Sequence, residues 1–270
     1  PVAGTHTQYY GGEVHKMPLL PENGFFPDLD GIDADTRRRA KLMVINYPNS
    51  PTGTVATSEF YAKVVDFARE NNIVVVQDAA HAMLNFKDKP TSFLSTPGAK
   101  EVGVEVHSLS KGHDMIGWRI GFVCGHPLIV QAFADVKDNT DSGQFIAIQK
   151  AAAVALNDDE IPRRTCSKYR RRMEKLVKTL NSCGFECKMP EGTYFLYTRT
   201  PRGIEGGMTF DSAEAASQYL ITEHSICTVP WDDAGAYLRF SVTYEAADEK
   251  AEDALMEETA ARLSKIKPVF

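Results

Sequence analysis

The segment IVVVQDAAH, residues 73–81, joins an unbroken apolar run to an aspartate and a histidine. The four β-rich residues 73–76 predict a strand that is apolar on both faces, as in a parallel sheet covered by helices. A similar run, LMVI at 42–45, predicts a strand that ends in a turn rich in proline, asparagine and glycine. Between the two strands apolar residues recur with helical spacing, and Thr57 or Ser58 can cap that helix. This strand–helix–strand order favours an α/β sheet.

The second half of the chain has a different pattern. A long charged helix is expected at about 159–181, with its arginines on a solvated face. Further strands are predicted at 104–107, 120–123, 193–198 and 237–243, and further helices at 212–223 and 248–266. We therefore expect two domains. Residues 1–160 form a large domain with a mostly parallel sheet, and residues 161–270 form a smaller α+β domain, with the long helix bridging them.

The composition excludes several classes of protein. The 270 residues carry 30 basic and 36 acidic side chains, a formal net charge of −6, and 43% of them are apolar. The apolar share argues against disorder, and the acidic balance argues against nucleic-acid or membrane partners. No run approaches the roughly 18 apolar residues of a membrane span, and no secretory leader is visible. Because the five cysteines are scattered, we expect free structural thiols in a reducing cytoplasm and no metal site.

Four segments carry side chains suited to chemistry. They are NYPNSPTG at 46–53, DAAH at 78–81, SLSK at 108–111 with Arg119 eight residues later, and YLRF at 237–240. Each alone is explained as a turn, a helix cap, a chance tetrapeptide or a paired arginine. Three of the four, however, follow predicted parallel strands, and open α/β sheets bind ligands at the carboxyl ends of their strands. Together the segments predict a ligand site.

In these segments the chain resembles the fold-type I pyridoxal-phosphate (PLP) aminotransferases, across nearly its whole length. Within that family it is most similar to the LL-diaminopimelate aminotransferases. The stretches that carry the similarity are TSFL at 91–94, GAKEVGVEVHSLSK at 98–111, MIGWRIG at 115–121 and VKDNTDSG at 136–143. The resemblance implies the α/β PLP-transferase fold of type I, PLP as cofactor, and a role in amino-acid biosynthesis. The implied reaction moves an amino group from an amino acid, with LL-2,6-diaminopimelate of lysine biosynthesis favoured, to 2-oxoglutarate.

The resemblance also assigns roles to residues. Lys111 would form a Schiff base with the PLP aldehyde and then move the substrate proton, because only a primary amine can do both. Asp78 would keep the pyridine nitrogen protonated, so that the ring can accept electrons. Ser108, Ser110 and Arg119 would hold the cofactor phosphate, because hydroxyls and a guanidinium fork suit its oxygens.

Four further positions complete the expected site, and two of them depart from the family pattern. Arg239 would bind the substrate α-carboxylate. Ser50, preceded by Asn49, stands where an asparagine usually binds the cofactor ring oxygen, and His81 stands in place of a tyrosine. Serine and imidazole can both donate a hydrogen bond to that oxygen, so we expect altered tuning of the cofactor and not loss of chemistry.

Two other functions stay open at this stage. The motifs also fit a PLP-dependent C–S lyase, and the same fold serves as the effector-binding module of transcription regulators, although no basic helix-turn-helix pattern is present. Because the family pattern continues well before Pro1, we expect an N-terminally truncated large domain. The resemblance further implies a cytoplasmic homodimer acting on small amino acids and 2-oxo acids, with Asp141, Ser142 and Gly143 at the interface. Asp232, just upstream of Arg239, could meet the distal ammonium of diaminopimelate.

Overall fold

The structure, a computed structural model, describes residues 2–87, 91–141 and 143–270. In these ranges the α-helices are α1 (Val2–Tyr9), α2 (Ala34–Arg39), α3 (Ser58–Asn71), α4 (Ala99–Val102), α5 (Leu109–Gly112), α6 (Pro127–Asp138), α7 (Ile146–Leu156), α8 (Glu160–Ser182), α9 (Ala213–His224) and α10 (Glu249–Leu263). The β-strands are β1 (Leu42–Asn46), β2 (Val74–Asp78), β3 (Gly103–Ser108), β4 (Gly121–Gly125), β5 (Phe195–Arg199), β6 (Gly203–Ile204), β7 (Val229–Trp231), β8 (Tyr237–Ser241) and β9 (Pro268–Val269). Short 3-10 turns lie at Pro21–Asn23, Phe93–Ser95 and Ile116–Trp118. Within the described ranges, no helix combines the length and the apolar composition needed to cross a membrane.

The described residues form two compact units. The first draws on Pro1–Tyr47, Ala56–Ala82 and Pro90–Asp158, and the second on Pro48–Val55, Met83–Lys89 and Asp159–Phe270. Two short loops from the first half of the chain thus belong to the second unit. The division into domains 1–160 and 161–270 stays a prediction.

The first unit is built on a four-stranded sheet in the order β1-β2-β3-β4. The strands β1, β2 and β3 are parallel, and β4 is antiparallel to β3. All four strands lie within two residues of their predicted bounds. The prediction of a mostly parallel sheet within an α/β architecture is confirmed, with an antiparallel strand at one edge.

One face of this sheet is deeply buried. Alternation along the strands places Met43, Ile45 and Val75 on that face, where they join the helix α3 in a hydrophobic core. On the other face, Leu42 is 51% exposed and Val44 is 38% exposed. The expected covering of both faces by helices is therefore found on one face only in the described residues.

The helix α3 begins and ends as the sequence predicts. The hydroxyl of Thr57 accepts a hydrogen bond from the backbone N–H of Phe60 at 3.1 Å, which satisfies one of the free donors of the first turn. The helix ends before Asn72, which adopts a left-handed conformation at φ +54°. Its buried side, which includes Phe60 and Val64, faces the core of the first unit.

The second unit contains an antiparallel sheet in the order β5-β8-β7 and a two-stranded pair of β6 and β9. Its core combines the helix α8 with the inner faces of β5 and β8, through Met173, Leu176, Leu196 and Leu238. The helices predicted at about 159–181, 212–223 and 248–266 correspond to α8, α9 and α10.

A buried carboxylate joins two helices of this unit. Glu252 of α10 is 1% exposed, and its carboxylate accepts hydrogen bonds from Arg171 (3.0 Å), Arg172 (2.7 Å) and Lys175 (3.3 Å) of α8. The hydrogen bond from Arg171 contributes most to lowering the pKa of Glu252 to about 2. Arg172 is itself buried, so the expectation of a solvated arginine face is wrong for this residue.

Candidate cofactor and substrate site

The carboxyl ends of the parallel strands gather several candidate residues at one edge of the first sheet. Asp78 ends β2, and its register partners are Asn46 at the end of β1 and Val106 of β3. The side-chain amide of Asn46 donates to the carbonyl of Asp78 at 3.0 Å, and the Asp78 carboxylate accepts the backbone N–H of Ala80 at 3.0 Å. These bonds fix both the backbone and the side chain of the aspartate.

Lys111 lies at the same edge, in the short helix α5 that follows β3. Ser108 caps this helix, because its hydroxyl accepts the backbone N–H of Ser110 at 3.1 Å. Partial burial lowers the pKa of the Lys111 ammonium, and the positive charge of Arg119 lowers it further. At a given pH, a larger fraction of Lys111 is therefore in the neutral amine form, which is the nucleophilic one, than of a lysine in water.

Arg119 is placed by the turn that leads into β4. It has a left-handed conformation at φ +53°, and its guanidinium is exposed and donates to the carbonyl of Ile116 at 2.9 Å. Gly121 pairs with Ser108, and a Cβ atom at Gly121 would overlap the carbonyl oxygen of His107. Only glycine permits this close approach of β4 to β3, which sets Arg119 beside the end of β3.

His81 is buried three residues after Asp78. Burial lowers the pKa of its imidazole to about 4, with a smaller contribution from the positive charge of Lys111. The ring is therefore neutral at physiological pH, which resolves the charge state that the sequence left open.

Asn49 and Ser50 lie in the second unit, in a loop with a fixed turn. The side-chain oxygen of Asn49, which is buried, accepts the backbone N–H and the hydroxyl of Thr52 at 3.2 and 2.8 Å. Gly53 has φ +75°, and a Cβ atom there would overlap Pro190. The carbonyl of Gly53 accepts the N–H groups of residues 191 and 192 at 3.1 and 3.0 Å. The loop is thereby bound to the segment that leads into β5.

Arg239 lies on β8 of the second unit, opposite Tyr197 of β5. Its guanidinium carbon stands 4.1 Å from the centroid of the Phe195 ring. Burial lowers the pKa of Arg239, an effect that Tyr194 opposes. The sequence analysis did not identify Phe195. Its side chain lies on the same face of β5 as that of Tyr197, because the two residues are two positions apart.

Asp232 has a local structural role. Its two carboxylate oxygens accept the backbone N–H groups of Ala213 (2.8 Å) and Glu214 (3.3 Å), at the first turn of α9. The contact of Asp232 with a distal ammonium stays a prediction.

The residues of the first unit fit PLP by the chemistry of their donors. Lys111 offers an amine of lowered pKa for an aldehyde, and Asp78 offers an anion for a protonated ring nitrogen. Ser108 and Ser110 offer hydroxyls and Arg119 a guanidinium, the usual donors to a phosphate. The structure brings these residues and His81 to one sheet edge, whereas Asn49, Ser50 and Arg239 belong to the second unit.

Comparison with known proteins finds close relatives along this chain. Residues 5–255 match the family described as aminotransferase class I and II. The LL-diaminopimelate aminotransferase of Methanocaldococcus jannaschii is 54% identical over 271 residues, which cover 97% of this chain and 65% of that protein. Its counterpart in Methanococcus maripaludis is 50% identical over 275 residues, which cover 100% of this chain and 66% of that protein. The chain thus spans just under two thirds of the length of these relatives.

Solved structures share the fold. BacF from Bacillus subtilis, without ligand, is 33% identical with a TM-score of 0.87, covering 96% of this chain and 67% of that one. A double mutant of Thermus thermophilus aspartate aminotransferase is 27% identical with a TM-score of 0.79, covering 94% and 65%. These likenesses confirm the expected fold. Since the family match extends over most of the chain, the chain belongs to the class I and II aminotransferases.

Proposed function

We propose that the protein is a PLP-dependent aminotransferase that moves an amino group from LL-2,6-diaminopimelate to 2-oxoglutarate. The observation that carries this proposal is the convergence of Lys111, Asp78 and the phosphate donors at one sheet edge, with the pKa of Lys111 lowered. The choice of diaminopimelate is supported by the names of the two relatives that are 54% and 50% identical.

Lys111 is the proton carrier of the proposed mechanism. When bound, PLP supplies an aldehyde that holds the amino group and a ring that accepts the electron pair left at the substrate Cα. The Nζ atom of Lys111 takes the proton from that Cα and later returns one, which requires the neutral amine. Partial burial of Lys111 favours this form by lowering its pKa, and the nearby positive charge of Arg119 adds to the effect.

Asp78 and His81 act on the cofactor ring. The Asp78 carboxylate, held by the N–H of Ala80, keeps a proton on the ring nitrogen, because an adjacent anion stabilises the protonated base. His81 is neutral, with its pKa near 4, so it contributes a hydrogen bond to the ring oxygen and no charge.

Ser108, Ser110 and Arg119 bind the phosphate. The Ser108 hydroxyl accepts the N–H of Ser110 and can donate its own proton to a phosphate oxygen. The bond from Arg119 to the carbonyl of Ile116 occupies one nitrogen of a guanidinium that carries five donor hydrogens.

The resemblance implies further roles for three residues of the second unit, Asn49, Ser50 and Arg239. We assign the side chains of Asn49 and Ser50 as hydrogen-bond donors to the cofactor ring oxygen, since an amide and a hydroxyl can both donate to it. Arg239 binds the α-carboxylate of the amino acid in a bidentate manner and orients the Cα–H bond.

The proposal includes a cytoplasmic homodimer. Large apolar side chains are exposed on both sides of the expected interface segment, among them Phe133 (52% exposed), Val136 (64%), Phe145 (72%) and Ile146 (66%). Exposed large apolar side chains are typical of a protein–protein interface. Asp141 and Gly143 lie between these apolar residues in the sequence, whereas Ser142 lies outside the described residues.

Borohydride reduction of the PLP-loaded protein, followed by peptide mass spectrometry, tests the proposed function. We expect a pyridoxyl adduct on Lys111, and a loss of transfer on the order of 10²–10⁴-fold in Lys111→Ala. Lys100→Ala, which removes an exposed lysine of α4, should keep both the adduct and the transfer. Transfer by Lys111→Ala at the wild-type rate would overturn the proposal. Pyruvate release from cystathionine without a 2-oxo acid would favour the C–S lyase instead.

A further inference from the structure

Three potential metal ligands meet between β3 and β4, away from the residues of the proposed mechanism. Glu105 and His107 are two positions apart on β3, so their side chains lie on one face of the sheet. Cys124 of β4 is the register partner of Glu105. A carboxylate oxygen, a ring nitrogen and the sulfur all lie within 4.8 Å of one another. Alternation along β2 and β3 assigns Asp78 to the opposite face, since its partner is Val106.

The carboxylate of Glu105 is buried, and neighbouring residues bind one of its two oxygens by hydrogen bonds. One oxygen accepts the hydroxyl of Ser92 (3.0 Å) and the backbone N–H groups of Phe93 (2.5 Å) and Leu94 (3.4 Å). The other oxygen faces the Nε2 atom of His107 at 2.8 Å. Burial opposes ionisation, yet the hydrogen bonds from His107, Ser92 and Phe93 lower the pKa of Glu105. The arrangement resembles a metal-binding carboxylate whose second oxygen is fixed by outer hydrogen bonds.

The other two ligands are also placed for a cation. The His107 ring stacks on Phe122, with centroids 4.9 Å apart and planes 14° from parallel, which fixes its orientation. Burial raises the pKa of the Cys124 thiol, and the negative charge of Glu105 raises it further. The same negative charge attracts a cation, whose binding would offset the cost of forming the thiolate. The side chain of His107 is 20% exposed, which gives access from solvent.

We propose that Glu105, His107 and Cys124 form a binding site for a divalent cation of the zinc type. Oxygen, nitrogen and sulfur are the ligands that Zn²⁺ combines in proteins, and three protein ligands leave a fourth position for water. Tetrahedral ligands of zinc lie about 3.5 Å apart, so His107 and Glu105 need to separate by less than about 1 Å. On binding through Nε2, the thiol proton is released to solvent and the neutral imidazole carries its proton on Nδ1.

Titration of the purified full chain with Co²⁺, without added PLP, tests the site independently of the proposed function. We expect one equivalent to give tetrahedral visible bands and a thiolate charge-transfer band in the near ultraviolet, with release of one proton. Zn²⁺ should displace the cobalt and abolish the bands. Cys227→Ala, which removes an exposed thiol elsewhere, should behave as wild type.

The variants Cys124→Ala and His107→Ala locate the site. Cys124→Ala should lose the charge-transfer band, and His107→Ala should bind Co²⁺ at least tenfold more weakly. The proposal is overturned if the wild-type chain gives no charge-transfer band. It is equally overturned if a folded Cys124→Ala gives the same spectrum as wild type.

Discussion

The guanidinium of Arg239 lies over the face of the Phe195 ring, with 4.1 Å between the guanidinium carbon and the ring centroid. Such an arrangement stabilises a cation by about 0.5–2 kcal/mol and limits the orientations of a long side chain. Phe195 is therefore a positioning residue for the carboxylate-binding group that we assign to Arg239.

We predict that Phe195→Leu raises KM for both the amino acid and the 2-oxo acid by about 2- to 30-fold, with a smaller change in kcat. Phe195→Tyr keeps the aromatic face and should retain wild-type KM values. Steady-state kinetics with diaminopimelate and 2-oxoglutarate measure the difference. An equal effect of the two substitutions would show that the ring face has no such role.

A second prediction concerns His81 and pH. Its pKa is about 4 in the folded protein, against an ordinary value of 6.5, so the unfolded chain takes up the proton first as the pH falls. Stability should therefore decrease as the pH drops from 6.5 towards 4, by about 1.4 kcal/mol for each unit of pKa difference. Urea unfolding of wild type and His81→Gln at several pH values measures this, and the variant should show a shallower decrease. Parallel curves for the two proteins would contradict the prediction.

A third prediction compares two glycines that lie on either side of Arg119, Gly117 in the 3-10 turn and Gly121 at the start of β4. Gly121→Ala places a methyl group against the carbonyl of His107, whereas Gly117→Ala meets no atom within 4 Å. We expect Gly121→Ala to lose about 1–3 kcal/mol of stability and to bind PLP more weakly, because the approach of β4 and the position of Arg119 both change. Gly117→Ala should stay within about 0.5 kcal/mol of wild type. Thermal unfolding and PLP titration provide both measurements, and equal behaviour of the two variants would refute the argument.

A fourth prediction concerns the buried charge of Glu252. Glu252→Gln leaves Arg172 buried beside a neutral amide and should cost about 3–5 kcal/mol of stability. The matched control is Glu258→Gln in the same helix, which breaks an exposed pair with Arg262 and should cost less than about 1 kcal/mol. Denaturant unfolding at neutral pH separates the two. A similar loss of unfolding free energy in both variants would mean that leaving Arg172 buried without its carboxylate has no additional cost.

Local patterns in the sequence predict the elements well. The apolar run 42–45 and the Thr57 cap depend on neighbouring residues, and both agree with the structure. The position of Asp78 and Lys111 at the sheet edge also follows from the order of elements along the chain. Asp78 is the last residue of β2, and Lys111 lies in the short helix that follows β3. The roles of these residues in the mechanism stay predictions.

Features that depend on distant contacts could not be predicted in this way. Arg172 is buried because its guanidinium donates a hydrogen bond to the carboxylate of Glu252, 80 residues later in the chain. The pairing of β3 with β4 decides that Cys124 meets Glu105, and the cysteines alone gave no sign of this. Phe195 becomes relevant only when β5 pairs with β8.

The contact between Gly53 and the segment at 190–192 has a mechanical consequence. This segment continues into β5, which pairs with the strand that bears Arg239, while the Gly53 loop bears Asn49. A displacement of the β5-β8 sheet therefore also moves the loop that contains Asn49 and Gly53. Under the roles that we propose for Arg239 and Asn49, binding of the substrate carboxylate and the hydrogen bond to the cofactor ring oxygen would then change together.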